Sequence, residues 1–453
     1  MRSVIADGLK VLELGCATGR LLAAVNPAIG VGVDHDPERI VAARHIHAGR
    51  PELHFLHDDV EKSEWHQLLP DESTPFDAII LSDLTPLLHD IQQTLRNIKP
   101  LCAPHTRIIL NFHNNLWQPL LTFASLIGLR TRHKNLNWLS MADIMNLLYL
   151  ADFQVVTQDT RVLLPMRVPG VTPLLNRVLA RMPGLRHLCL TCCLTARPAP
   201  RQFSRSQTPP SVSVVVPTRN EKGNVPGIFS RTPRMGQFTE LMIVDGNSTD
   251  GTIEAIEAEI RAHDAMEPRK FDRIELLHQT GKGKGQAVRQ AFDACRGDIL
   301  MILDSDLTMP PEDLAKYYDA IVEGHGEFIN GCRLIYPMDQ HAMRFLNMIA
   351  NKLFAILFTW LLGQPIKDTL CGTKVLWKRD YLKIAANRAH FGDFDPFGDF
   401  DLLFGAARLN LKIVDLPIRY RDRSYGDIKI ERFKHGWLLL KMCGVALRKL
   451  KLN

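Results

Sequence analysis

Residues 297–313 read GDILMILDSDLTMPPED, and the first part is too apolar for a strand with a wet face. Ile299 to Leu303 form an unbroken apolar run, as expected of a strand buried on both faces of a mainly parallel sheet. Asp304 and Asp306 close that run with one serine between them. Two carboxylates so close repel unless positive charge lies beside them. Ligands of α/β sheets gather at the carboxyl ends of the strands, where Mg²⁺ or Mn²⁺ is held by one or two carboxylates plus substrate phosphates. The pair therefore reads as the seat of a metal diphosphate, with Asp304 and Asp306 as metal ligands that stabilise a departing nucleoside diphosphate.

The flanking segments repeat the strand, turn, helix design. SVSVVVPTRNEKGNV begins with a strand over Ser211 to Val216, halted by Pro217. LMIVDGNSTDGT is a second strand, ending in Asp245, with Asp250 near the start of the next helix. GKGKGQAVRQAF sets Lys282 and Lys284 among three glycines ahead of a helix, a turn suited to phosphate.

Together these motifs resemble the family 2 glycosyltransferases of GT-A fold, above all the polyprenol-phosphate glycosyltransferases of the dolichyl-phosphate mannose synthase type. VVVPTRNE, DGNSTDGT, GKGKGQA, LDSDL, DTLCGTKVLWKRD, DFDLL and DRSYGDIKI follow in that family's order between residues 211 and about 435. The resemblance implies a nucleotide-sugar donor carrying UDP or GDP. Pro217, Thr218, Glu221 and Asp245 would surround the base, Asp304 and Asp306 the metal and phosphates, and Arg333 the sugar-phosphate region. Lys284 joins this binding set, Arg423 and Lys429 would hold phosphates, and Asp399 and Asp401 would lie by sugar or acceptor. Gly246 and Asn247 stand where relatives often have aspartate then glycine, which leaves the base open.

A phosphate monoester is already largely ionised near neutral pH, with a second pKa of about 6, so such an acceptor needs cations and positioning more than a general base. A polyprenyl phosphate or glycolipid acceptor would also need an apolar bed. Phe345 to Gly363 and the terminal FKHGWLLLKMCGVALRKLKLN are candidates for amphipathic contact with an anionic membrane surface, against the alternative of ordinary core helices. The clean apolar part of the first, from Leu353, is about half the roughly 20 residues of a membrane span.

Residues 9–25, LKVLELGCATGRLLAAV, hold a strand over Lys10 to Leu14, then Gly15, Ala17 and Gly19, then a helix. Small residues at this turn let a ligand approach the backbone. A second strand ends in Asp34, fifteen residues after Gly19, where an acid can take ribose hydroxyls. Arg20 replaces the last glycine of a dinucleotide fingerprint, which disfavours nicotinamide. With LHFLHDDV, FDAIILSDLTPLLHDIQQTLRNIKP and TRIILNFHN in order, residues 10 to about 160 resemble the class I S-adenosylmethionine-dependent methyltransferases.

That resemblance implies Glu13, Gly15, Ala17 and Gly19 around the methionine part of S-adenosylmethionine, Asp34 on the ribose, Asp59 and Val60 beside the adenine, and Asp83 near the methyl group. The first strand begins only nine residues into the chain, ahead of which members usually carry covering helices; this start implies either truncation or an open, inactive site. Asn137 to Val156 reads as a late helix and strand of mainly core character.

At 453 residues, 46% hydrophobic and 23% charged, the chain is a globular protein of two domains. The net charge of +6 permits contact with phosphates without requiring nucleic acid, which is excluded from the expected partners. Nine cysteines lack framework spacing, and Cys189, Cys192 and Cys193 with His187 read as packing residues rather than a zinc site. No signal peptide is legible, which with reduced thiols implies a cytoplasmic protein or one peripheral to the cytoplasmic membrane face.

The expected fold is α/β throughout: a methyltransferase-like domain over 1–195, a proline- and arginine-rich linker over 196–210, and a GT-A domain over 211–453 ending in an amphipathic helix. The expected function is bifunctional: inverting, metal-dependent sugar transfer plus methyl transfer, both acting on one glycan or glycolipid. The alternatives are a glycosyltransferase beside a non-catalytic module, and a sugar nucleotidyltransferase. PTRNEKGN disfavours the latter, because it is not a glycine-rich turn ending in lysine.

Overall fold

The computed structural model describes residues 5–62, 75–128, 137–166, 168–182, 184–200, 208–335, 345–388, 398–421, 423, 425 and 440–451. The chain divides into two units, one built on residues up to Ala199 and the other on Pro200–Leu450. Each unit carries a seven-stranded sheet.

In the first unit the strands are β1 (Lys10–Leu14), β2 (Ile29–Asp34), β3 (Leu53–His57), β4 (Phe76–Ser82), β5 (Cys102–His113), β6 (Phe153–Arg161) and β7 (Thr191–Pro198). They lie in the order β3-β2-β1-β4-β5-β7-β6. β1 to β5 pair in parallel, and β7 runs antiparallel to both β5 and β6. β1 and β4 sit at the centre, and Val11, Leu12, Leu14, Ile79, Ile80 and Leu81 are wholly buried there. This is the near-continuous hydrophobic reading expected of strands covered on both faces. The helix Met141–Leu150 and strand β6 match the late helix and strand read from the sequence.

In the second unit β8 (Val212–Thr218), β9 (Thr239–Asp245), β10 (Arg273–His278), β11 (Ile299–Ile302), β12 (Phe328–Cys332), β13 (Lys374–Trp377) and β14 (Ile413–Pro417) form the order β10-β9-β8-β11-β13-β12-β14. Val214, Leu300, Met301 and Ile302 lie at the sheet centre, flanked by two apolar clusters. β13 is the antiparallel member, paired with β11 on one side and β12 on the other.

Two boundaries differ from the sequence reading. β8 does not stop at Pro217 but runs on to Thr218, with Pro217 opposite Val244. Its pairing with β11 ends at Val215, so beyond that point the missing proline N–H has no neighbour to serve on the β11 side. The stretch read as linker starts inside β7: Ala196, Arg197 and Pro198 pair with Val155, Gln154 and Phe153. Composition alone misled there, because prolines and arginines are tolerated in a strand beside the sheet edge.

The helix Phe345–Leu362 buries Asn351, Ala355, Phe358 and Leu361 while exposing Leu353 and Ile356. Of the carboxyl-terminal helix, Met442, Cys443 and Ala446 belong to the core. No helix among the described residues is long and apolar enough to cross a membrane. Leu300→Ala is expected to lower the stability of the second unit by about 3 kcal/mol, the cost of a leucine-sized cavity at a wholly buried site. Urea denaturation followed by fluorescence checks this, and a loss below about 1 kcal/mol would mean that the centre of this sheet is not close-packed.

Candidate active sites

β8, β9 and β11 run parallel, so Thr218, Asp245 and the segment after Ile302 emerge on one edge. Thr218 and Asp245 are register partners, and the Gly246 N–H donates to the Thr218 carbonyl at 2.8 Å. Asp245 is buried and accepts the Ser248 N–H at 2.9 Å and its hydroxyl at 2.5 Å, which closes the turn over the strand end. Asp250 accepts the Lys222 and Thr252 N–H groups, joining the β8 and β9 turns at the start of the helix Thr252–Asp264.

Asp304 and Asp306 stand on this edge, and each already carries a protein cation. Lys284, the first residue of the helix Lys284–Ala294, donates to Asp304 Oδ1 at 2.5 Å. Arg423 donates from Nη2 to Asp306 Oδ2 at 2.6 Å, while Asp306 Oδ1 accepts the Thr308 hydroxyl at 2.8 Å. The charge assigned to a metal in the sequence reading is thus supplied here by Lys284 and Arg423. Arg423 also reaches Glu221 Oε1 at 3.5 Å, and Glu221 Oε2 accepts from Asn224 at 2.7 Å. One guanidinium therefore connects the β8 turn to the aspartate pair, a link that 201 intervening residues hide in the sequence.

Removal from water opposes ionisation of Asp304, but Lys284, reinforced by Lys374 and Arg333, outweighs it and holds the carboxyl below the usual carboxylate range. Lys374 is wholly buried and donates to the Cys371 carbonyl. Gly372 is the contact that makes this crowding possible: a Cβ there would lie 2.1 Å from Asp304 Oδ2 and 2.4 Å from Lys284 Nζ. Neither Gly372 nor Lys374 was singled out from the sequence, although both sit inside the DTLCGTK motif.

Arg333 does not point a free guanidinium into the site. Its Nε and Nη2 donate to Asp368 at 2.7 and 2.8 Å, and the guanidinium lies 5.3 Å from the Tyr420 ring centre. Asp368 is wholly buried, and it also accepts from Asn351 at 2.9 Å. Burial would raise the Asp368 pKa, but the Arg333 charge and hydrogen bonds bring it down to about 2.

Asp401 is buried in ion pairs with Arg388 at 2.8 Å and Arg289 at 3.8 Å, tying the helix Asp399–Arg408 to its neighbours. Asp399 is the first residue of that helix, and the preceding Gly398 abuts Gly285, so the helix start adjoins the Lys284 turn. Lys429 lies outside the described residues.

In the first unit Gly15, Ala17 and Gly19 all have positive φ, at 71°, 47° and 70°. The Ala17 N–H donates to Asp34 Oδ2 at 2.8 Å, which ties the loop after β1 to the end of β2. Asp34 Oδ1 accepts the Asp36 N–H at 3.0 Å, and it is Asp36, not Asp34, that caps the following helix. Glu13 is buried and accepts the Leu22 N–H at 2.9 Å. Desolvation, with the nearby Asp34 charge adding to it, raises its pKa to about 8. Asp59, two residues past β3, accepts the Glu61 N–H at 3.0 Å, and Val60 is buried beside it. Asp83, with φ 51°, is held by Asn111 at 2.9 Å. A loop of left-handed backbone bounded by carboxyl groups suits a ligand that is cationic at one end and hydroxylated at the other.

Two family models match: "Glycosyl transferase family 2" over residues 213–383 and "Methyltransferase domain" over residues 12–108. Over 257 residues the chain is 34% identical to a dolichol-phosphate mannosyltransferase of Pyrococcus furiosus, covering 53% of this chain and 67% of that one. It is 29% identical to glycosyltransferase AglJ of Haloferax volcanii over 51% of this chain and 70% of the relative. It is 27% identical to a polyprenol monophosphomannose synthase of Mycolicibacterium smegmatis over 48% and 80%.

The Asp368 pair has a pH signature. Its folded pKa lies below the ordinary value of about 3.9, so its contribution to stability is complete above about pH 4 and is lost as pH falls toward about 2. Asp368→Asn is expected to cost about 3 kcal/mol near neutral pH by stranding Arg333. The gap from wild type should narrow as denaturation is repeated at lower pH, and a gap constant from neutral to acid would rule the ion pair out as its source.

Proposed function

The chain belongs to the family 2 glycosyltransferases, and from that membership we propose that its second unit transfers a sugar from a nucleotide-sugar to a polyprenyl phosphate or related glycolipid, with inversion. The observation that carries this reading is the doubly paired edge, Lys284 with Asp304 and Arg423 with Asp306. Two carboxylates and two cations there form a nearly neutral set whose cations can turn toward an incoming diphosphate. Thr218, Glu221 and Asp245 line the adjacent strand ends, where the nucleoside would lie.

The donor set fits a hard divalent ion. Asp304 and Asp306 supply carboxylate oxygens, and no group of three acidic, histidine or cysteine ligands occurs among the described residues. Two carboxylates completed by substrate phosphates is the pattern of Mg²⁺ and Mn²⁺ sites. Such an ion, when bound, supplies positive charge to the leaving diphosphate. Lys284 and Arg423 would orient the same oxygens and share their charge, while Gly372 keeps the backbone close to Asp304 and Lys284.

Acceptor attack needs little from a general base when the nucleophile is a phosphate monoester, ionised near neutral pH with a second pKa of about 6. The relatives named for polyprenol phosphate and dolichol phosphate support this acceptor class. Leu353 and Ile356, exposed on the helix Phe345–Leu362, are candidates for the lipid's apolar bed. Arg423 and Lys429 would position its phosphate.

For the first unit the reading is methyl transfer from S-adenosylmethionine, which supplies an electrophilic methyl group when bound. Glu13 takes the cationic methionine end, Asp34 the ribose and Asp59 with Val60 the adenine side. A cation beside Glu13 would favour its charged form, so cofactor binding should strengthen as pH rises toward about 8. The two activities in one chain make it bifunctional.

Sugar transfer from UDP- and GDP-hexoses to a polyprenyl phosphate, assayed with and without Mn²⁺, tests the second unit. Asp304→Ala and Asp306→Ala should each lower kcat about 10²- to 10³-fold, and Lys284→Ala should lower it by a comparable factor. If chelation leaves the rate unchanged while Lys284→Ala abolishes it, the metal is discarded and the lysine alone serves the leaving group. Calorimetry with S-adenosylhomocysteine tests the first unit: no heat of binding at any pH would leave it a non-catalytic module.

A further inference from the structure

The first unit carries an apolar surface that neither proposed reaction uses. In the helix Gln118–Leu126 none of the nine residues is buried. Leu116, Leu120, Phe123, Leu126 and Ile127 recur at spacings of three and four, and each is between 54% and 66% exposed. Such spacing puts them on one helix face. A second exposed apolar run lies in the segment between β6 and β7, where Val171, Leu174, Val178, Met182, Leu185 and Leu188 are all exposed along the helix Val171–Arg177 and the two 3-10 turns that follow it. The two join where Trp117 Nε1 donates to the Leu188 carbonyl at 2.8 Å and Asn114 donates to the His187 carbonyl at 2.9 Å. Half of the exposed large apolar side chains among the described residues lie in these two segments. A contiguous patch of this kind marks an interaction surface.

Charge identifies the partner. Within the first unit, Ile91 to Ala142 and Thr160 to Ala199 contain 12 lysines and arginines and not one aspartate or glutamate; of these, Arg107 and Arg197 are buried, and Lys99 and Arg161 pair with Asp152 and Asp159. A protein partner would bring mixed charge to the rim, whereas apolar helical faces set in purely basic sequence match the interface of an anionic bilayer. The surface also lies at a particular place. β6 runs in the same direction as β5, so the segments after His113 and Arg161 leave the sheet on the edge where β1 and β4 present the Gly15–Gly19 loop and Asp83.

We infer that this face docks the first unit on an anionic lipid bilayer, with the helix Gln118–Leu126 and the 171–188 segment in the plane of the headgroups. Each exposed leucine or phenylalanine taken into the acyl boundary adds apolar burial, and the basic residues hold the protein against the negative surface. A methyl acceptor reached from this edge is then a membrane amphiphile; that corollary rests on the methyltransferase reading, whereas the docking does not.

Co-sedimentation of the full chain with phosphatidylcholine vesicles, with and without about 30% phosphatidylglycerol, tests the docking. Wild type should partition at least tenfold more strongly to the anionic vesicles, and the preference should fall with added salt. The Leu120→Ser, Phe123→Ser, Leu126→Ser variant should lose at least tenfold in partition with its thermal transition unchanged. Leu174→Ser with Val178→Ser should do the same, and Arg186→Glu, which alters no apolar contact, should weaken the anionic preference alone. Leu353→Ser with Ile356→Ser should keep vesicle binding. Full binding by the first two variants, or its loss only in the Leu353, Ile356 variant, overturns the proposal. So does a wild-type dimer by light scattering that the triple variant dissolves without vesicle binding, because the face would then belong to a second copy. Sugar transfer to a short-chain, water-soluble acceptor should be untouched by the first-unit variants. Its absence in wild type would count against the sugar-transfer reading and not against docking.

Discussion

The approach of Lys284 to Asp304 across Gly372, where an added Cβ would push both charged groups aside, is the constraint on which the second unit's site depends. Any side chain at 372 would lie inside van der Waals contact of both charged groups. The DTLCGTK segment is pinned on the other side by Asp368, which binds Arg333 and Asn351 beneath it. A buried carboxylate with this many donors is costly to form and costly to disturb. Its return is geometric: Gly372 is held four residues along a segment that cannot slide. The pair at the surface of the site is adjustable because the pair below it is not.

That division of labour explains why two arginines assigned to phosphate behave so differently. Arg333 is immobilised by Asp368 and contributes to the site through its field, helping Lys284 keep Asp304 ionised. Arg423 bridges Glu221 and Asp306 from a segment remote in sequence, with a quarter of its side chain exposed. It can exchange a carboxylate for a phosphate at small cost, since both partners are acceptors of similar charge. The ligand-free edge is thus poised close to neutrality rather than strongly negative. On the reading proposed above, an incoming diphosphate would meet cations already in place.

Much of this was legible in the sequence because it depends on strand ends. An apolar run closing in a carboxylate identifies a buried parallel strand and the edge it serves, and β2, β9 and β11 obeyed that rule. The Ala17–Asp34 contact follows from the same logic, two adjacent strand ends meeting over a loop of small residues. What stayed hidden was long-range pairing between charged groups. Nothing local distinguishes Arg333, tied to Asp368, from Arg423, tied to Asp306, and Asp401 reads as a site residue although Arg388 and Arg289 consume its charge. Proline composition misplaced the ends of β7 and β8 for a related reason: whether a missing N–H matters depends on the neighbour strand, which sequence does not show.

Apolar helices posed the hardest ambiguity, and burial resolves it against intuition. The most hydrophobic segment, Phe345–Leu362, spends Ala355, Phe358, Leu361 and Leu362 on the core, where Phe358 packs 4.5 Å from the Phe400 ring centre. The terminal helix does likewise with Met442, Cys443 and Ala446. The less conspicuous helix Gln118–Leu126 buries nothing fully, and its Leu120, Phe123 and Leu126 stay exposed. Hydrophobicity measures what a helix could bury; only the fold shows what it has left over. Each such side chain is worth roughly 1.5–3 kcal/mol when removed from water, and each nearby lysine or arginine about 1 kcal/mol at an anionic surface. Those terms are individually small, but the helix Gln118–Leu126 and the 171–188 segment contain no acidic residue of their own to oppose them. A face whose apolar and basic contributions all carry one sign is built for one kind of surface, and that surface is a membrane.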